Sequence, residues 1–421
     1  MAEITLSKNS KKLMLYFTDN KHFNHVNQNK NTKKIITQLY VDILEAYKYV
    51  KIREKEGNYY TVTIKNISSY IHIIKPKLFS SKSFPELIRS HIDELAMTEL
   101  CYSFSLFERS IKIYFVLEDI NIETKIHVYN NYVNNVMMWL YILNKYSSKK
   151  CSTVLNVYFY FTSLEKHLPN SNISILDEIN VNTAFTTTCP KDAEIVVFRK
   201  EEWFKVFMHE TFHNFGLDFS DMNNNDVNNC ILGIFKVNSQ VNLYESYTEF
   251  WAEIMNALFC SFIGLKDKNN INEFLSNAEF FINFERTYSF FQLIKTLSFM
   301  GLTYNDLYST NKRSALLRNT LYKENTNVLS YYIIKTVLLN SYQSFLLWCN
   351  TNNSSLLQFK KTAANQQEYC NFISKKYKTQ NMLDGIEYTN NFIKQIYSKK
   401  EKDPTNKYLL TNLRMSICEL G

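Results

Sequence analysis

Two histidines four residues apart with a glutamate between them, His209-Glu210-Thr211-Phe212-His213, are the residues of this chain whose types and spacing speak most directly of chemistry. Positions i and i+4 of a helix lie one turn apart on one face, so this HExxH arrangement aims two imidazoles at one metal ion with Glu210 beside them. Neutral imidazole is a good ligand for Zn2+. Two of them leave room for one more protein group and a water, whose pKa the bound metal lowers to about 7. Glu210 can then take the water's proton and pass it to a leaving amine. The residue types therefore fit zinc-dependent hydrolysis, with His209 and His213 as metal ligands and Glu210 as general base.

The elements that must position these groups can be read around them. Ala193 to Phe198 is a short apolar, β-branched run with the character of a buried strand. The stretch from Glu201 to Met208 leads into the motif as a helix, with Glu201 and Glu202 expected in its first turn, and Gly216 is its natural stop. No His follows His213, so a third ligand must be Asp, Glu or Cys from further along. The longer motif HExxHxxGxxH would place it at Phe219, and of that extension only Gly216 is present. The segment from Tyr244 to Met255, read as a helix, stacks Glu245, Glu249 and Glu253 at i, i+4 and i+8. No Lys, Arg or His lies between Lys236 and Lys266 to relieve their mutual repulsion. A cation facing this stripe would do so, and all three carboxylates are candidates.

HExxH followed by a Glu on a second helix resembles the gluzincins, and Glu249-Phe250-Trp251-Ala252-Glu253 looks like the corresponding element of the anthrax lethal-factor group of zinc endopeptidases. The resemblance implies a zinc metallopeptidase acting on a viral or host polypeptide, with Glu249 as third zinc ligand and Glu253 supporting a ligand His; Glu245 competes for either role. That group has a Tyr seven residues before the ligand Glu, a position held here by Asn242, so the oxyanion stabiliser is sought nearby, at Tyr244 ahead of Tyr247. By the same likeness, Asn182 to Phe185 falls where gluzincins pair a strand with the substrate backbone. The longer runs 198–219 and 244–256 are also similar to uncharacterised proteins of giant DNA viruses.

The implied fold is α+β: a zincin-like domain over 100–265, in which a mixed twisted sheet packs on the HExxH helix, between a mixed α/β region (1–99) and an α-helical region (266–421). Strands are expected at 111–117, 154–161 and 194–198, an edge strand at 181–188, and helices at 129–145 and, before the sheet, at 33–51 and 85–98; 59–67 reads as a strand. The broad apolar face of 329–348, which includes Tyr331, reads as one helix. The Asn-rich stretch 221–229 is a candidate border of the site, and His22 and His25 are expected at the surface.

A net charge of +8 spread over 421 residues is no nucleic-acid footprint, and pairs such as Lys149-Lys150 and Lys399-Lys400 with Lys402 fit solvated ends. The longest apolar run, 136–143, is far short of the ~20 residues of a membrane span. Eight cysteines without a CxxC pair, and no cationic start before an apolar segment, point to free thiols in an intracellular protein of the host cytoplasm or a virion. Cys189 is a remote candidate for an inhibitory fourth ligand. The alternative to a peptidase is an inactive zincin-fold protein that binds partners or builds the virion; a retained Glu210 argues for catalysis, because a purely structural zinc site has no use for a base.

Overall fold

One sheet is assembled from six strands, with alternating apolar residues in the inner ones: β1 (Thr61–Asn66), β2 (Thr98–Leu106), β3 (Arg109–Leu117), β4 (Val154–Phe161), β5 (Ala184–Thr186) and β6 (Asp192–Val197). Their order is β1-β2-β3-β4-β6-β5 in a computed structural model that describes residues 6–57, 59–398 and 404–421. The three central strands β3, β4 and β6 run parallel and the outer ones antiparallel. Central parallel strands must be covered on both faces, and the period of two supplies both coats. Ile111, Ile113, Phe115, Leu155, Val157, Phe159, Ile195 and Val197 face the main core, while Val116, Tyr158, Tyr160 and Val196 face a second cluster with Phe84, Ile88 and Ile92.

Helices α1 (Lys8–Asp19), α2 (Lys30–Glu56), α3 (Glu86–Leu95), α4 (Ile126–Tyr146), α5 (Glu178–Val181), α6 (Trp203–Asn214), α7 (Asn225–Ile234), α8 (Leu243–Ile263) and α9 (Ile271–Phe299) surround it. α3 closes the second cluster, and α4, the β3-to-β4 crossover, packs on the main one beside α6: Phe115 meets Tyr129, and Phe159 meets Trp203 and Phe207. The fold is α+β with a helical C-terminal half, as expected.

Several details differ from the sequence reading. Residue 98 opens β2, which was not foreseen: α3 ends at Leu95, and Leu100, Tyr102, Phe104 and Leu106 alternate into the core. The single helix expected over 329–348 is a π-helical turn (Leu329–Ile334), a helix (Lys335–Asn340), a break at Ser341 and another helix (Tyr342–Asn352). The wider π turn is frequent at functional sites. Half of the Asn-rich stretch is helical, as α7. His22 is buried, stacked on Tyr388 and Phe392, and burial pushes its pKa down to about 4; His25 pairs with Glu279.

Free thiols are found at Cys101, Cys260, Cys349 and Cys418, whereas Cys151 is bonded to Cys189 and Cys230 to Cys370. The partners lie 38 and 140 residues apart, so no local spacing announces them. Lys399, Lys400 and Lys402 lie outside the described residues. Among the described residues no helix is long and apolar enough to cross a membrane, and 136–143 is the buried stretch of α4.

The last residues thread back into the core, where their backbone is held by buried charges. Glu202 accepts from the amides of Met415 and Ser416, Glu285 from those of Ile417 and Cys418, and Lys335 donates to the Met415 carbonyl.

Candidate metal centre

α6 follows β6 directly and is buried along its whole length. It starts two residues later than expected: Glu202 is left-handed (φ 59°), and its carboxylate turns away to Lys166, so no acid occupies the first turn. Trp139 of α4 donates to Thr211 Oγ1 at 2.8 Å and fixes the rotation of the helix. That rotation sends His209 and His213 the other way, toward α8. Gly216 ends the element at φ 67°, a conformation that costs a side-chain-bearing residue 1–2 kcal/mol or so, and the reversal returns Asp218 to His213.

Three ligand atoms converge between α6 and α8. His209 Nε2 and His213 Nε2 are 3.2 Å apart, and a Glu245 carboxylate oxygen lies 3.1 Å from the first and 3.4 Å from the second. A tetrahedral ion with bonds of about 2.05 Å requires ligand atoms about 3.3 Å apart, the edge of that tetrahedron. The triangle matches it, so His209, His213 and Glu245 form a group that could hold a metal ion. Each imidazole is oriented through its other nitrogen: His209 Nδ1 by Glu249 at 2.8 Å, His213 Nδ1 by Asp218. With Nδ1 paired to an acceptor, the Nε2 lone pair is the one presented to the centre.

Glu249, expected as the ligand, therefore stands one turn off. Its oxygens are engaged by His209 Nδ1 and by Lys205 Nζ at 2.6 Å, and Glu245 holds the third corner instead. Glu253, expected to support a ligand His, lies a further turn away, paired with Lys335 at 2.6 Å. The physical reason lies in two buried lysines, one on α6 and one after the π turn, which bond two of the three stacked carboxyl groups and leave Glu245 for the histidines.

Charge follows this division. Burial alone would raise the Glu245 and Glu249 pKa values; the two histidines hold Glu245 well below the carboxylate range, and Lys205 with His209 does the same for Glu249. Burial would lower the His209 pKa, but the bonds to Glu245 and Glu249 lift it to about 9, and Asp218 with Glu245 raises His213 likewise.

Glu210 borders a cavity of about 30 Å³, room for a water or two, together with His209, Tyr331 and the backbone leading into β5, from Asn182 to Ala184. Its pKa is raised by burial. The phenol at the site is Tyr331, on the π turn: its hydroxyl donates to Glu245 at 2.9 Å and its ring lies against His209. Tyr244, the expected oxyanion donor, instead sets its ring edge-on to His213 and against Phe219 and does not border this cavity, while Tyr247 bonds the Leu357 carbonyl in the core. Cys189 is held in its disulfide at the C-terminal end of α6, so its sulfur is no free ligand.

Sequence reading thus brought together His209, Glu210 and His213 and missed Asp218 and Tyr331. Asp218 carried a faint signal, an acid inside an apolar run just after the helix stop. Tyr331 carried none, since its neighbours read as core. No protein-family model, curated protein or solved structure matches this chain.

Proposed function

We propose that the protein is a zinc-dependent metallopeptidase of zincin type, with His209, His213 and Glu245 as ligands. The observation that carries this reading is the triangle of ligand atoms with Glu210 beside it and a small cavity in front. A zinc ion held there would supply a water of lowered pKa and polarise a substrate carbonyl. Glu210 has no hydrogen-bonded partner among the described residues, and burial, by raising its pKa, makes its carboxylate a stronger base than an exposed one, suited to take a proton and return it to the leaving nitrogen. Tyr331, whose hydroxyl donates to Glu245, is in this reading the group that turns its hydrogen to charge developing on the carbonyl oxygen, the part sought at Tyr244 from sequence. β5 is an edge strand with one side unpaired in the sheet, so an extended peptide can add to it by main-chain bonds and lie across the cavity.

The purified chain with one zinc, incubated with a mixed peptide library beside a Glu210→Gln control, tests this. Cleavage by the wild type that falls by about 100-fold or more in the variant supports it, and identical peptide patterns in both contradict it. The confined cavity favours one other reading, a metal-stapled protein that binds partners without turnover. That reading predicts full zinc loading and no cleavage by either form.

A further inference from the structure

A cavity of about 700 Å³ lies away from the histidines, at the opposite end of α6. It opens where β3, β4 and the stretch after β6 end, at Leu117, Phe161 and Lys200, and the carboxyl ends of parallel strands are where open sheets hold ligands. Its volume is that of a small-molecule site. Neither the metal triangle nor Glu210 reaches it.

One wall is aromatic. Tyr132 packs on Trp203 with centroids 4.7 Å apart, and Phe161 and Tyr129 continue the surface at 5.6 Å from Trp203 and 5.8 Å from Tyr132. Trp203 is 2 % exposed and Tyr132 4 %, and among the described residues the Tyr132 hydroxyl, at the cavity wall, makes no hydrogen bond to the protein. That hydroxyl is left to bond whatever the cavity holds, and its oxygen can accept from a donor there. The remaining walls carry five carboxylates (Glu118, Asp119, Glu165, Glu201, Glu419) against three cations (Lys125, Lys200, Arg414), an excess of two negative charges. Lys125 is paired with Asp119 and Arg414 with Glu419, and from outside the lining His91 bonds Glu118 at 2.7 Å and His167 stands 3.6 Å from Glu165. The crowding registers on Glu165, whose pKa is pushed up by burial and by Glu201.

We infer that this cavity is a binding site for a small organic polyamine. Its alkyl body lies along the rings, one ammonium group faces them and bonds the Tyr132 oxygen, and the others meet the surplus carboxylates. Ring faces attract ammonium ions, and an aliphatic chain covers apolar surface that a metal ion would leave bare. Anions are disfavoured by the charge excess, and neutral ligands leave it uncompensated.

Spermidine is the probe, titrated calorimetrically into the full-length, zinc-loaded protein at physiological ionic strength, with a neutral diol of the same length and succinate as comparators. The expected result is saturable spermidine binding with a Kd below about 1 mM, and none with either comparator. Glu118 and Glu165 are partly exposed, so Glu118→Gln with Glu165→Gln leaves the fold intact and weakens binding by about fivefold or more; the exposed Lys200→Glu tightens it by a similar factor. Absence of spermidine binding, equal binding of the diol, or one affinity in all three proteins overturns the inference. None of these outcomes bears on zinc or peptide cleavage.

Discussion

The division of labour among three glutamates on one helix face decides what the centre can do. Glu245 touches both imidazole Nε2 atoms, Glu249 orients one imidazole, and Glu253 serves the core. Glu249→Gln should therefore still load zinc, about 10- to 100-fold more weakly, as removal of an outer partner does, measured by competition with a chromophoric chelator. Tyr331→Phe should keep its zinc and lose about 100-fold in kcat, which peptide-cleavage kinetics would show. Protons compete for the same nitrogens. His209 is raised from its ordinary 6.5 to about 9, so its contribution to the metal-free fold is fully present below pH 6.5 and lost as pH rises through 9. Metal-free protein should accordingly lose about 3 kcal/mol of stability to urea between those values. Over the same range zinc affinity should climb at least tenfold per pH unit, above the window near pH 6 that an unshifted histidine would give.

At the scale of elements, α6 and α8 are joined by ring contacts, Phe204 with Phe259 and Phe212 with Tyr247, and by a buried chain of charge, Lys205–Glu249–His209, which Lys166 and Glu202 continue at the start of α6. Removing one member leaves the other buried and unpaired, so Lys205→Met should destabilise the protein by about 3–5 kcal/mol in chemical unfolding, with zinc binding weakened through Glu249. Both helices were readable from sequence, because a strand, an i/i+4 histidine pair and an apolar helix carrying a stripe of acids are local patterns. The register of the stripe was not. Glu245, Glu249 and Glu253 share one face, and which of them meets the imidazoles depends on how α8 crosses α6 and on Lys205 and Lys335. Those lysines sit 44 and 82 residues from their partners. β2 was hidden for a different reason: its alternation begins inside a segment whose first part is helical.

For the molecule as a whole, covalent and ionic ties connect regions that sequence reading set apart. β1, from the first hundred residues, extends the central sheet, and Met415, near the chain's end, borders the cavity of Glu210. Cys230–Cys370 ties α7 to the helix Ala363–Lys376 across 140 residues. Closing a loop of that length restricts the unfolded chain by about 5 kcal/mol, so Cys230→Ser should lower the unfolding midpoint clearly. Alkylation in denaturant should label four cysteines without reductant and eight with it, counted by mass spectrometry. The identity of the third ligand is most directly tested by cobalt substitution in Glu245→Cys and Glu249→Cys. A sulfur-to-cobalt charge-transfer band is expected from the first and none from the second. The band in Glu249→Cys alone would contradict that.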